Sequence, residues 1–240
     1  MGTLKNTTIN DVGALELPRG TTAQRPNPPL SGMIRFNTTI DETEYYDGVA
    51  WRPVSDSSPE ATGGTIVDTD IGGVPYRIHL FTNTGNSTFT VTKGGTVEYL
   101  IVAGGGGGGD TSGGGGGAGG LIIGTTTITP QAYTITVGAG GVGSNAYSSG
   151  TSGQGGTQGG NSVAFGLTAL GGGGGGSYGN PGTRINGGSG GGVRGDAQNR
   201  GYSQRPGLGQ QPGSASGGFG NNGGNTPGLS NGDPSSGGGG

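Results

Sequence analysis

Between Met33 and Trp51, apolar and polar residues alternate with a period of two. Met33-Ile34-Arg35-Phe36-Asn37 is followed by Glu44-Tyr45-Tyr46 and Val49-Ala50-Trp51, with Asp47-Gly48 between the last two runs. Such alternation marks strands with one covered face, and Asp-Gly between two of them signals a hairpin with a type I′ turn, in which both central residues have positive φ. Residues 33–54 therefore predict a small β-meander. Ahead of it, Arg25-Pro26-Asn27-Pro28-Pro29 prescribes an extended, polyproline-like course that cannot join a central strand. A meander this small buries too little apolar area to stand alone, and partner chains are the expected remedy.

Alternation resumes at Val74-Pro75-Tyr76-Arg77-Ile78-His79-Leu80-Phe81 and at Ser87-Thr88-Phe89-Thr90-Val91, with Thr82 to Asn86 as the polar turn between them. Lys93-Gly94-Gly95 then turns the chain into Thr96 to Ala103, which predicts three antiparallel strands in one sheet with one apolar face. There the pattern changes, because Val97 to Ala103 runs without a break into six glycines, Gly104 to Gly109. Tyr133 to Val137 likewise enters Gly138-Ala139-Gly140-Gly141, and Ser162 to Leu170 enters Gly171 to Gly176; Leu121-Ile122-Ile123 and Thr127-Ile128-Thr129 are further apolar inserts. Glycine loses more conformational freedom on ordering than any other residue, so such runs order only where close backbone approach returns hydrogen bonds. The apolar strand ahead of each run supplies the anchor.

Composition narrows the classes. Of 66 glycines, 54 fall in the 137 residues from Gly104 onward, and only 27% of the chain is apolar, so the second half cannot build an ordinary core. Composition alone reads as disorder, but solvated Gly/Ser linkers do not carry embedded apolar strands. Collagen is excluded by the missing Gly-X-Y period. A net charge of −3 argues against nucleic acid and anionic membrane partners, and no cysteine is present to form disulfides, thiolate sites or nucleophiles. No apolar run is long enough to cross a bilayer, and the first residues show no apolar secretion signal. The sequence ends inside a further glycine run, which leaves open that the chain continues.

Two resemblances sharpen this picture. Leu17-Pro18-Arg19-Gly20-Thr21-Thr22-Ala23-Gln24-Arg25-Pro26, Gly32 to Thr39 and Glu44-Tyr45-Tyr46-Asp47-Gly48-Val49-Ala50-Trp51 together resemble a module of tail-fibre and related virion proteins of tailed bacteriophages. The glycine runs with their strands are similar to the glycine-rich domains of phage tail adhesins and some cell-surface proteins, where such segments form bundles of polyglycine II helices. That helix has three residues per turn, rises about 3.1 Å per residue and makes no internal hydrogen bonds, so its N–H and C=O groups must pair sideways. The resemblances imply a mainly β protein with little or no α-helix, in four parts: a fibre trimerisation or attachment module (1–58), a β-sheet region (59–103), a polyglycine II region with inserted strands (104–176) and a loop-rich tip or tail (177–240). They further imply a non-enzymatic, homotrimeric virion protein made in the host cytoplasm. Its expected partners are other tail or baseplate proteins and a host surface glycan or outer-surface protein. Ile34, Phe36, Tyr45 and Trp51 are the trimer-interface candidates. Tyr178, Arg184, Arg194, Arg200, Tyr202, Arg205 and Phe219 are the receptor-binding candidates, Tyr and Arg being enriched at binding hot spots. A head, neck or baseplate decoration protein is the structural alternative, and a polysaccharide-degrading spike the enzymatic one.

Other motifs weigh little. Gly138-Ala139-Gly140-Gly141-Val142-Gly143 fits G-x-G-x-x-G after a strand, but no helical pattern follows it, and no cofactor is expected. His79 is the only histidine and reads as a half-buried strand residue. Asp41, Glu42, Glu44 and Asp47 are carboxylates a glycosidase could use, yet they lie in the module assigned to assembly. Asp68-Thr69-Asp70 is a weak metal motif. Asn6-Thr7-Thr8, Asn37-Thr38-Thr39 and Asn86-Ser87-Thr88 fit the glycosylation pattern, which has no meaning for a protein made in bacteria.

Overall fold

The meander forms where alternation places it. In a computed structural model, which describes residues 16–54, 58–110, 113–144, 155–177, 186–194, 206–225 and 237–240, the chain divides into two units, 1–57 and 58–240. In the first unit, β1 (Arg19–Gly20), β2 (Ile34–Asn37), β3 (Glu42–Tyr46) and β4 (Trp51–Pro53) form one sheet in that order, with a single 3-10 turn at Thr22–Gln24. The loop at Asp47 differs from the expected type I′ turn. Tyr46 pairs with Trp51, so the loop has four residues, and only Gly48 takes a positive φ, +103°. The Asp47 carboxylate accepts the N–H groups of Val49 and Ala50, both at 2.7 Å, and thereby closes the longer loop.

This sheet buries charge rather than hydrocarbon. Among the described residues of the first unit no apolar side chain is buried; Arg35, Asn37 and Glu44 are, at 5%, 0% and 1% exposure. Glu44 is gripped from several sides. Arg25 donates from Nε and Nη2 at 3.2 and 2.6 Å, Asn37 donates at 3.0 Å, and Arg35 Nη1 lies at 3.6 Å. The Trp51 ring lies 5.9 Å from both guanidiniums, within cation–π range. Burial pushes the Glu44 carboxyl up, but the hydrogen bonds from Arg25 and Asn37 and the charges of Arg25 and Arg35 outweigh it, and the net shift is downward.

The second unit is a β-sandwich that grips a bundle of extended glycine segments. One sheet has the order β13 (Leu167–Ala169), β12 (Ser162–Ala164), β11 (Ala132–Val137), β8 (Gly85–Lys93) and β5 (Glu60–Thr62). The other pairs β9 (Gly95–Val102) with β10 (Leu121–Ile128). Phe89, Val91, Ile135, Ala164 and Ala169 from the first sheet meet Ile101, Ala103, Ile122 and Ile128 from the second in one core. Phe165 packs its ring against Phe89, Tyr99 and Tyr133.

The expected three-stranded sheet is not formed, since its three strands go to three different sheets. The strand at Val74–Leu80, β7, pairs instead with β6 (Thr65–Ile71), across a two-residue turn at Gly72 and Gly73 with φ of +63° and +85°. A Gly-Gly pair with positive φ at both positions suits a two-residue hairpin turn, which pairs β7 with the strand just before it. The run from Ser162 to Leu170 is also not a single strand. It is the hairpin of β12 and β13, turned at Phe165 (φ +53°) and Gly166 (φ +79°).

The glycine segments bond sideways with a period of three. In segment 104–109, Gly104 and Gly107 donate to Gly160 and Thr157 at 3.0 and 2.9 Å, while Gly106 and Gly109 donate to Gly117 and Gly114 at 2.8 and 2.9 Å. The carbonyls of Gly105 and Gly108 accept from Gly141 and Ser144, and those of Gly104 and Gly107 accept from Gly172 and Gly175. Every neighbour is thus met at every third residue, which is the polyglycine II pattern. The lattice continues past Ser177: Gly173 donates to Ser189, Gly176 to Gly192 and Gly239 to Gly190. Residues 59–103 and the described parts of 104–240 therefore belong to one unit.

Two outcomes test these accounts. A Cβ on Gly106 would lie 2.1 Å from the Gly173 carbonyl oxygen, whereas a Cβ on Gly108 meets nothing within 4 Å. Gly106→Ala is expected to destabilise by about 1–3 kcal/mol or more through backbone displacement, and Gly108→Ala by less than about 0.5 kcal/mol. Thermal melting of the two variants side by side measures the difference, and equal melting overturns the lattice assignment. For Glu44, a pKa held below its unfolded value means its contribution is full above the ordinary carboxylate range and is lost as pH falls through the folded pKa. Fluorescence of Trp51, the sole tryptophan, should report an acid transition of the first unit. Glu44→Gln should shrink that pH dependence to the share carried by Asp47 and cost roughly 3 kcal/mol at neutral pH by leaving two guanidiniums without their counter-charge.

Candidate functional site

With its covered face devoted to the Glu44 network, the first unit turns its apolar residues outward. Directly opposed residues of an antiparallel pair share a face, so Arg35, Glu44, Tyr46 and Trp51 lie on one side, and Ile34, Phe36 and Tyr45 on the other. Ile34 and Tyr45, directly opposed, are 45% and 40% exposed; Phe36 is half-buried beneath the Arg19 guanidinium, 5.8 Å away. Three of the four interface candidates thus share one face, on which Ile34 and Tyr45 are exposed, Arg19 lies over Phe36 and Arg52 stands opposite Tyr45. Trp51 belongs to the opposite face, with Tyr46 at 5.6 Å and the two arginines. Rim charges are locally paired: Arg52 Nε meets Asp47 at 3.0 Å, and the Val49 and Ala50 amides together with Arg52 bring the Asp47 carboxyl down to about 2.

The second unit carries a comparable face on the outside of the β9–β10 sheet. Val102 opposes Leu121 and Leu100 opposes Ile123. Phe219 adds a third column by bridging to Leu121 through a reciprocal pair of backbone hydrogen bonds, 3.1 and 2.8 Å. Leu100, Val102, Ile123 and Phe219 are 62%, 51%, 63% and 62% exposed. Contiguous apolar surface of this kind marks an interaction site in soluble proteins. What holds Phe219 there is Gln211, fully buried, which accepts the Leu170 N–H at 2.6 Å and donates to Ser214 Oγ and the Gly217 carbonyl. Sequence reasoning missed Gln211, whose neighbours carry no pattern, and it missed the apolar partners of Phe219, because the pairing joins strands about a hundred residues apart.

Of the remaining receptor-binding candidates, Arg194 is 5% exposed, buried at the end of a glycine segment rather than displayed on a loop. Tyr178, Arg184, Arg200, Tyr202 and Arg205 lie outside the described residues. The carboxylate motifs are engaged locally. Asp68 pairs with Arg77 at 2.7 and 3.0 Å, which lowers its pKa, and Asp70 accepts the Gly73 N–H at 2.7 Å. No group of three metal-ligating side chains occurs among the described residues. His79 Nδ1 lies 2.8 Å from the Gly63 carbonyl oxygen, and its ring packs edge-on to Phe89. In the G-x-G-x-x-G stretch the Gly141 N–H donates to Gly105 and the Val142 N–H to Thr157, so neither is available to cradle a phosphate. No helix among the described residues is long and apolar enough to cross a membrane.

Comparison with known proteins bears on the glycine-rich part of the chain. No curated protein and no solved structure matches the chain. The family model described as a glycine-rich domain matches residues 82–240, the stretch that holds β8 to β13 and every glycine segment. With most of its length inside that match, the chain belongs to the glycine-rich domain family.

Proposed function

We propose that this chain is a non-enzymatic structural subunit of a phage virion appendage, a tail fibre that assembles as a homotrimer and takes part in attachment to the host surface. The observation that carries the reading is the first unit. It has a charged interior, no buried apolar side chain among its described residues, and exposed Ile34 and Tyr45 side by side on its other face, next to a half-buried Phe36. A sheet so built gains apolar burial only against other chains. Residues 15–54 are also the part that resembles the tail-fibre module. The glycine lattice adds a rigid support, and the Leu100–Val102–Ile123–Phe219 face is a ready contact surface for a host glycan or outer-surface protein. Three copies would raise the avidity of a weak contact.

Light scattering of the full chain should give three times the 23.1 kDa subunit mass. Ile34→Lys and Tyr45→Lys, both at exposed positions that leave the fold intact, should reduce it to the subunit mass. Labelled trimer should adsorb to host cells without loss of capsule, and Phe219→Ser should weaken adsorption about tenfold or more, as loss of a hot-spot aromatic does. A monomeric wild type overturns the fibre reading. A trimer that never adsorbs points to a structural role on the head, neck or baseplate, and capsule loss points to a depolymerase.

A further inference from the structure

The β6–β7 hairpin sorts its side chains by charge. Val67 and Ile71 share one face with Val74, Tyr76, Ile78 and Leu80, and the only other residues on that face are threonines. Asp68, Asp70 and Arg77 all lie on the opposite face, where Asp68 and Arg77 pair with each other. Within the isolated chain nothing covers the apolar face: Val67, Ile71, Val74, Ile78 and Leu80 are 40–56% exposed. A ribbon in water on both sides has no reason to segregate its charges, whereas one with a face destined for burial does.

We propose that this face packs against the same face of further copies of the chain. The charge pattern selects a copy over other occupants. A surface that meets itself around a symmetry axis sets any charge lying near that axis against its own image, and this face carries no charge to be opposed. Size points the same way. Two seven-residue strands make a footprint of about 24 Å by about 10 Å, far short of the ~800 Å² per partner that sustains an interface alone. The occupant must therefore already be held nearby. Copies joined through the first unit meet that requirement, because one chain carries both units and association at one raises the local concentration of the other. This step rests on the trimer reading above. Face-to-face packing would also stabilise a two-stranded ribbon that is marginal alone.

The absence of native cysteine makes the contact directly readable. Val67→Cys and Ile78→Cys on the apolar face, and Ile66→Cys on the opposite face at 47% exposure, are each introduced singly into the full chain. After mild oxidation of dilute protein, most Val67→Cys or Ile78→Cys chains should run as covalent dimers on a non-reducing gel, and Ile66→Cys chains as monomers. Hydrogen exchange of the hairpin amides in wild-type protein should be at least tenfold slower than in the Tyr45→Lys monomer. A trimer in which neither apolar-face cysteine cross-links, or in which Ile66→Cys cross-links equally well through edge-on pairing of the ribbons, overturns the inference and leaves the trimer reading standing. A monomeric wild type overturns both.

Discussion

Everything in the second unit depends on the sideways hydrogen bond between glycine backbones. Ordering one residue costs about 1–2 kcal/mol in backbone entropy, and one such bond returns about 0.5–1.5 kcal/mol net. A glycine segment in which about two residues in three donate and two in three accept, as in 104–109, does not repay that cost and cannot order itself. The decisive extra comes from the sandwich. Segment 104–109 leaves β9, segment 113–120 enters β10, segment 138–144 leaves β11, segment 155–160 leads to β12 and segment 171–176 leaves β13. The apolar core fixes these ends in register. With its ends held by the sandwich, a segment loses less freedom for each lateral bond than a free chain would.

The first unit solves the same shortage of hydrocarbon in the opposite way. Its sheet closes over Glu44, Arg25, Arg35 and Asn37, a set whose geometry is specific but whose net stabilisation is small, since desolvation offsets most of the attraction. The network therefore acts mainly to specify structure. It sets the register of β2 against β3 through the Arg35–Glu44 pair and pins the 3-10 turn through the donation from Arg35 Nη2 to the Thr21 carbonyl at 3.2 Å. With the inner face given to charge, alternation forces Ile34, Phe36 and Tyr45 outward. Polar interior and apolar exterior are one constraint seen from two sides.

Alternation and the strand-to-glycine junctions were legible in the sequence, because both are properties of contiguous residues. Strand partners were not, because a period of two marks which residues share a face and says nothing about which strand lies alongside. Hence alternation marks β7, β8 and β9 as strands that could share one sheet, although each pairs elsewhere. The Gly72-Gly73 turn was a readable signal passed over between runs of similar character. The Phe165 turn was not readable in this way, since an aromatic residue at positive φ is retained only where its ring packs among Phe89, Tyr99 and Tyr133, and those contacts are long-range. Glu44 looked like one of four carboxylates on a solvated hairpin, and only the fold brings Arg25 to it.

Exceptions to glycine map the lattice more finely than glycine itself. Segment 171–176 has no side chain and is buried at every residue, with neighbours in segments 104–109, 113–120, 155–160 and 187–192. Segments that carry Ala118, Ala139, Val142 and Thr157 carry them at exposed positions. In segment 104–109 the outward positions recur every third residue, at Gly105 and Gly108, where a Cβ would meet little or nothing. Three residues per turn therefore divide each peripheral helix into positions that face a neighbouring backbone within van der Waals reach and a position that faces water. The first kind leaves no room for a Cβ in segment 104–109, whereas segment 187–192 does bury a side chain, Ser189, whose Oγ accepts the Asn221 N–H. The second has room for a side chain, so a uniform backbone scaffold leaves part of its exterior open to substitution.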